Sequence, residues 1–170
     1  MNEGIEKLPS GREILKELES GGKYLFHGSR ELGVQELEPR QAYSFTDKDN
    51  KIPIDKPGVF ASPRADIAIF VSIINRRNCP DGFTSGFGED EDTNQVEFRV
   101  TQEALDQLSD DSVGEVHVFL KDDFVPRESS TEWISYKKVV PIKTIRVRKS
   151  DLPDNLKIKK NALYYKKDNE

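Results

Sequence analysis

The spacing of apolar positions changes several times along the chain, and each change marks an element. Ile14, Leu15 and Leu18 recur at helical spacing behind Ser10-Gly11-Arg12-Glu13, a capping-box pattern in which serine and glutamate satisfy each other's free amides. The pattern predicts a short amphipathic helix over residues 10–20, stopped by Gly21-Gly22. Lys23-Tyr24-Leu25-Phe26-His27 is a compact apolar run, read as a strand broken by Gly28-Ser29. Residues 41–57 are polar, with Asp47-Lys48-Asp49-Asn50-Lys51 in series, and read as a long loop. Gly58-Val59-Phe60-Ala61-Ser62 reads as a second short strand. Ser62 as N-cap and Pro63 at the first helical position then predict a helix to about Arg77. That helix is apolar almost all round, which places it at the centre of the core.

Residues 78–94 hold glycines and the acidic run Glu89-Asp90-Glu91-Asp92, and read as a solvated loop. Residues 95–100 alternate with period two, and Thr101 is placed to cap a short helix through Leu108. Residues 114–120, 131–135 and 139–148 supply three further strands, with Pro141 marking an edge or bulge. The segment after Pro153 is rich in lysine (Lys157, Lys159, Lys160, Lys166, Lys167) and is expected to fray at its end. One helix, two strands, a core helix and four strands lack the alternation of a doubly wound fold. They predict an α+β class with mostly antiparallel strands. The expected organisation is a helical segment over 1–22, the domain proper over 23–153 and a lysine-rich tail over 154–170.

Composition narrows this picture. The chain has 170 residues, enough for one domain that buries roughly 70% of its unfolded surface without a metal or disulfide staple. Lys plus Arg number 26 against 31 Asp plus Glu, a net charge of −5, so no general attraction to nucleic acid is expected, although a local basic patch stays open. The single cysteine, Cys79, leaves no intramolecular disulfide and fits a reducing cytoplasm. No run of about 18 apolar residues and no apolar leader at the N-terminus predict a cytoplasmic protein with no membrane role.

Several chemistries lack their motifs. There is no GxxxxGK[ST] phosphate loop, GxGxxG fingerprint, HExxH helix or GxSxG elbow, and no metal site is expected. A dyad of Cys79 with His27 or His117 stays open on sequence alone, although Asn78-Cys79-Pro80 reads as an incidental thiol. His117 lies within an alternating strand, on its polar face or half-buried. His27 ends an apolar strand beside Gly28, where a ligand can approach the main chain closely.

Taken in order, Tyr24-Leu25-Phe26-His27-Gly28-Ser29, Gly58-Val59-Phe60-Ala61-Ser62 opening a helix, and Thr131-Glu132-Trp133-Ile134-Ser135 ahead of Val139-Val140-Pro141-Ile142 resemble the ADP-ribosyltransferase superfamily. The resemblance is to the diphtheria-toxin and poly(ADP-ribose) polymerase branch, called H-Y-E after its motif residues, and to small bacterial members of that fold with unassigned substrate. It spans about residues 23–147. It implies a split β-sandwich of mostly antiparallel strands with a central core helix, and NAD as substrate with no metal. His27 would bond a ribose hydroxyl, Gly28 would pair its backbone with the nicotinamide carboxamide, and Ser29 would lie beside them. Glu132 would hold the 2′-hydroxyl of the nicotinamide ribose. Phe60 stands where the family has tyrosine, and Phe70 is the second aromatic; both would stack on nicotinamide, or fill the core. Arg40 is the arginine chosen to meet the pyrophosphate, ahead of Arg30 and Arg64. The family's carboxamide serine has no counterpart, and Ser130 two residues before Glu132 breaks the E-x-E signature, which disfavours protein arginine as acceptor.

The implied activity is NAD-dependent transfer of ADP-ribose to an unidentified protein or nucleic-acid acceptor, or NAD hydrolysis, with His27 and Glu132 facing each other across one groove. The alternatives are an inactive NAD- or nucleotide-binding module of the same fold, and an enzyme like the RNA 2′-phosphotransferases. Two histidines and a net negative charge suit the latter poorly.

Overall fold

The computed structural model describes residues 6–45, 51–90, 92–128 and 130–163. Residues 46–50 of the expected loop, Glu91 and the lysines at 166 and 167 lie outside the described residues.

Helix α1, Gly11–Ser20, begins at Ser10 with the expected capping box: the Ser10 side chain accepts from the Glu13 amide at 3.1 Å, and the Ser10 amide donates to Glu13 at 3.1 Å. Strands β1 (Tyr24–Ser29), β2 (Arg40–Phe45) and β3 (Lys51–Ala61) precede helix α2 (Ala65–Ile73). Strands β4 (Ser85–Glu89) and β5 (Val96–Val100), the short helix α3 (Gln102–Asp106) and strand β6 (Val113–Leu120) follow. The chain ends with β7 (Val125–Pro126), β8 (Trp133–Ser135), β9 (Lys143–Arg148) and β10 (Leu156–Ile158). These strands form three sheets, ordered β1-β6-β9, β10-β5-β4 and β2-β3-β8-β7. All pairings are antiparallel except β10 with β5. The class is therefore α+β, with few helices and mostly antiparallel strands.

Helix α2 lies under β1 and β6. Ala65, Ile67, Ala68, Ile69, Phe70 and Ile73 are buried in one cluster with Phe26, Phe98, Val116 and Val118. Its start differs from expectation. Pro63 is not helical, and Ser62 Oγ instead accepts from the Arg64 amide at 3.0 Å in the turn before the helix. The free amide of Ala65 donates to the Glu19 carboxylate of α1 at 3.0 Å, so one helix caps the other. A second tie joins Arg12 Nε to Asp66 at 3.0 Å.

Four further expectations are corrected. The loop over 41–57 is largely the β2–β3 hairpin, whose outward residues are mostly exposed and so carry no apolar period. The loop over 78–94 contains β4, which pairs with β5 along its length. Residues 154–163 add β10 beside β5 and bury Ala162, and α1 contributes the fully buried Leu15 to the main cluster, so the described residues of both segments pack into the domain. The last long strand begins only at Lys143; Val139 makes an isolated bridge to Leu37 ahead of Pro141. Among the described residues no helix is long and apolar enough to cross a membrane.

Candidate functional site

The site is built where two sheets meet and part. Phe26 of β1 and Ser62, just beyond β3, exchange both backbone hydrogen bonds, at 2.8 and 2.9 Å. In an antiparallel pair, alternate residues turn their N–H and C=O toward the same neighbour. Gly28, two residues on, therefore presents its backbone pair toward β3. The partner there is taken: the Phe60 carbonyl lies 2.7 Å from His27 Nδ1. A carbonyl only accepts, so Nδ1 carries the proton and Nε2 keeps its lone pair. The imidazole thus takes the acceptor that the Gly28 amide would meet, and no hydrogen bond joins Gly28 to β3 among the described residues.

His27 stands directly opposite His117 across β1 and β6, with the rings stacked at 6.3 Å and 17°. Burial, only partly offset by the bond to the Phe60 carbonyl, pulls His27 from 6.5 to about 4, and the His117 charge pushes the same way. His117 is fully buried and also lowered by desolvation, which corrects its expected place on a polar face or in a half-buried site. Its Nδ1 lies 2.8 Å from Thr144 Oγ1, and its Nε2 has no hydrogen-bond partner. Both rings are neutral near pH 7.

This pair makes the fold sensitive to acid. Below pH 6.5 the unfolded chain takes up a proton at His27 that the native chain refuses until about pH 4. The contribution to stability is thus complete at neutral pH and falls between these values, by about 3 kcal/mol at most. Urea midpoints across pH 7.5 to 4.5 should drop more steeply for the wild type than for His27→Gln. Parallel curves would remove the assignment.

Glu132 lies on the far side of β3, immediately before β8. Its amide donates to Ser130 Oγ at 3.1 Å, and its main-chain carbonyl accepts from the Arg127 amide at 3.0 Å across the β7–β8 hairpin. Arg127 Nη1 bonds its carboxylate at 3.0 Å, Nε bonds Asp55 at 2.9 Å, and the guanidinium rests 5.3 Å from the Phe60 ring centroid. Asp55 takes a left-handed backbone, φ 54°, within the β2–β3 hairpin. Next to Glu132, the Thr131 hydroxyl donates to Glu89, which also binds Arg64 Nε at 3.1 Å. Burial raises the Glu132 carboxyl and the nearby Glu89 adds to this, against the pull of Arg127.

The structure thus groups His27, Gly28, Phe60 and Glu132 around one parting of strands, but not as expected. Register sets His27 opposite Ala61, and Ala61 opposite Trp133, so His27 and Glu132 sit about 10 Å apart across β3. Strand alternation gives His27 the face of Leu25 and Phe119, and gives Glu132 the face of Phe60. They flank an open edge and do not oppose each other across a shared groove. A groove of about 760 Å3 beyond β1 and another of about 290 Å3 beside α1 include neither residue.

The remaining candidates separate. Phe70 is a core residue, 2% exposed and tilted against Phe98 at 5.1 Å, so it offers no face to a ligand. The Ser29 hydroxyl is engaged in a turn with Glu31, donating to its carbonyl at 2.6 Å. Arg40 is exposed at the start of β2, and its charge, with that of Arg30, opposes protonation of His27. Cys79 is buried with its thiol raised by desolvation, and its Sγ donates to the Ala104 carbonyl at 3.4 Å, so the dyad with histidine is not formed. Arg127, Asp55 and Glu89 were not visible as site residues. A charge pair across a short hairpin at 127 and 132 was the one available signal.

Comparison of the chain with protein-family models, with curated proteins and with solved structures gives no match.

Proposed function

We propose that this chain is an NAD-dependent ADP-ribosyltransferase, releasing nicotinamide and passing ADP-ribose to an acceptor. The reading rests on the sequence resemblance together with one observation: the Gly28 edge, left unpaired among the described residues where β1 leaves β3, has the neutral His27 imidazole beside it, and the Glu132 carboxylate lies one strand further on, beyond β3. A primary carboxamide carries one donor and one acceptor side by side, the complement of the free N–H and C=O of Gly28. His27 Nε2 would accept from a ribose hydroxyl. Glu132 would hold the 2′-hydroxyl and stabilise positive charge at C1′.

In the reaction the C1′–N1 bond breaks and its electron pair neutralises the pyridinium nitrogen of nicotinamide. The acceptor's lone pair closes on C1′, and the acceptor's proton passes to solvent. Nicotinamide leaves as a neutral ring, so no general acid is needed. A fixed carboxylate gains strength as the oxocarbenium-like centre develops, and that gain lowers the barrier.

A second reading has its own support. Arg127 lies on Phe60 and binds Glu132, so a cation already occupies the neighbourhood where the family would seat cationic nicotinamide. With phenylalanine in place of tyrosine, this suits a module that binds the dinucleotide without cleaving it. Incubation with NAD, with and without cell extract, separates the two: free nicotinamide supports the transferase, and calorimetric binding without nicotinamide supports the module. Neither binding nor release would overturn both.

A further inference from the structure

We propose that the groove of about 760 Å3 beyond the end of β1 binds a short single strand of nucleic acid through its phosphates. Arg30 and Glu31 enter it from the end of β1, Arg76 and Arg77 from beyond α2, and Phe83 from the approach to β4. Three guanidinium groups therefore meet a single carboxylate. Elsewhere Arg12, Arg64, Arg127 and Arg146 each sit on an acidic side chain. Among the described residues the three in the groove sit on none.

Arg77 is fixed in place. Its Nε donates to the Arg30 carbonyl at 3.2 Å, Nη1 to Asn78 Oδ1 at 3.2 Å and Nη2 to the Val113 carbonyl at 2.7 Å. All three acceptors are neutral, so the charge is held and left uncompensated. The Arg30 and Arg76 side chains make no hydrogen bond or ion pair among the described residues, and both are exposed. Their planar forks match phosphate oxygens two at a time. Phe83 is half-buried and, with Leu163, gives the groove an apolar wall against which a base can rest. The volume suits one or two nucleotides. The net charge of −5 repels a long duplex over the rest of the surface, which favours a strand end over a duplex, and three arginines against one glutamate favour a ligand with several phosphates over a peptide carrying one.

Arg30 lies three residues beyond His27, about 10 Å along the strand. A strand seated in the groove would lie close enough to serve as the acceptor of the transfer described above. That role rests on the transferase reading; the binding does not.

The test is fluorescence anisotropy of a labelled oligothymidine of roughly ten nucleotides with the full chain. At about 50 mM salt Arg76→Gln should weaken binding about fivefold and lower the salt slope by about one. Glu31→Gln removes the opposing carboxylate and should tighten binding about threefold. Neither side chain has a partner among the described residues, so both variants should fold. An unbound probe, or equal affinities for all three proteins, overturns the proposal. So does displacement of the probe by NAD, or by a phosphoserine peptide in preference to unlabelled oligonucleotide. Nicotinamide release is followed in parallel, with and without unlabelled oligonucleotide. Lost strand binding with release intact sinks the groove alone, whereas strand binding without release keeps the groove and sinks the transferase.

Discussion

Glu132→Gln should lower the rate of nicotinamide release from NAD by about 10²–10³-fold, the usual cost of removing one preorganised charge from a polar transition state. The amide keeps the size of the side chain and an oxygen that can accept from a ribose hydroxyl, so ground-state binding should change little. What it lacks is the negative charge that strengthens as C1′ becomes cationic. The loss should therefore fall on kcat with KM within about threefold of wild type. Folding should be unaffected, because desolvation already disfavours the carboxylate here and Arg127 keeps its second partner, Asp55, at 2.9 Å. The pH profile supplies an independent check. With the Glu132 carboxyl raised, activity of the wild type should fall on the acid side at a pH above the ordinary carboxylate range. Residual activity of the glutamine variant should show no such limb. Unchanged turnover in this variant would remove Glu132 from the chemistry.

The helix at 10–20 and the core helix were legible because local signals and packing agree there: a capping box in one, an all-apolar surface in the other. The core helix was read too long at both ends. Its cap comes from Glu19, 46 residues away in sequence, which no local pattern can announce. The β2–β3 hairpin and β4 were hidden for another reason. Their partners satisfy the backbone, but few of their side chains are buried, so the period-two signal that reveals a strand never forms. In the site, His27, Gly28 and Glu132 were picked out and lie around one parting of strands. The contact at the parting, an imidazole on the Phe60 carbonyl, joins residues 33 apart. Arg127 was missed because an arginine before a turn is common in any sequence, and only the hairpin register sets it against Glu132. Phe60 falls at the family's tyrosine position, and Phe70 reads equally as a core residue. The structure separates them, with one ring under a guanidinium and the other sealed in the core.

Gly28→Ala should destabilise the native chain by about 3 kcal/mol or more, at the upper end for overpacking, because the obstruction is backbone and cannot rotate away. A methyl group at Gly28 would fall inside the contact distance of the Ala68 carbonyl of α2, with Ser72 N beside it. The closeness expected between Gly28 and a ligand is thus, on the Cβ side, a closeness to the core helix. Gly114, on the neighbouring strand β6, meets the Ser72 carbonyl in the same way, so two glycines let α2 lie directly on the sheet. The hydrogen-bonding edge of Gly28 points instead along the sheet toward β3, at right angles to that contact. One residue therefore serves packing through its missing side chain and the proposed carboxamide pairing through its main chain. A smaller helix neighbour separates the two roles only in part, since the obstructing atoms belong to the backbone of residues 68 and 72. The measurement is the urea midpoint of Gly28→Ala against wild type, with Gly33→Ala as a comparison at an exposed position whose cost comes from its positive φ of 73° and not from packing. A loss at Gly28 no larger than that at Gly33 would show that α2 yields at this contact, and would leave the close fit of helix to sheet without the energetic importance assigned to it.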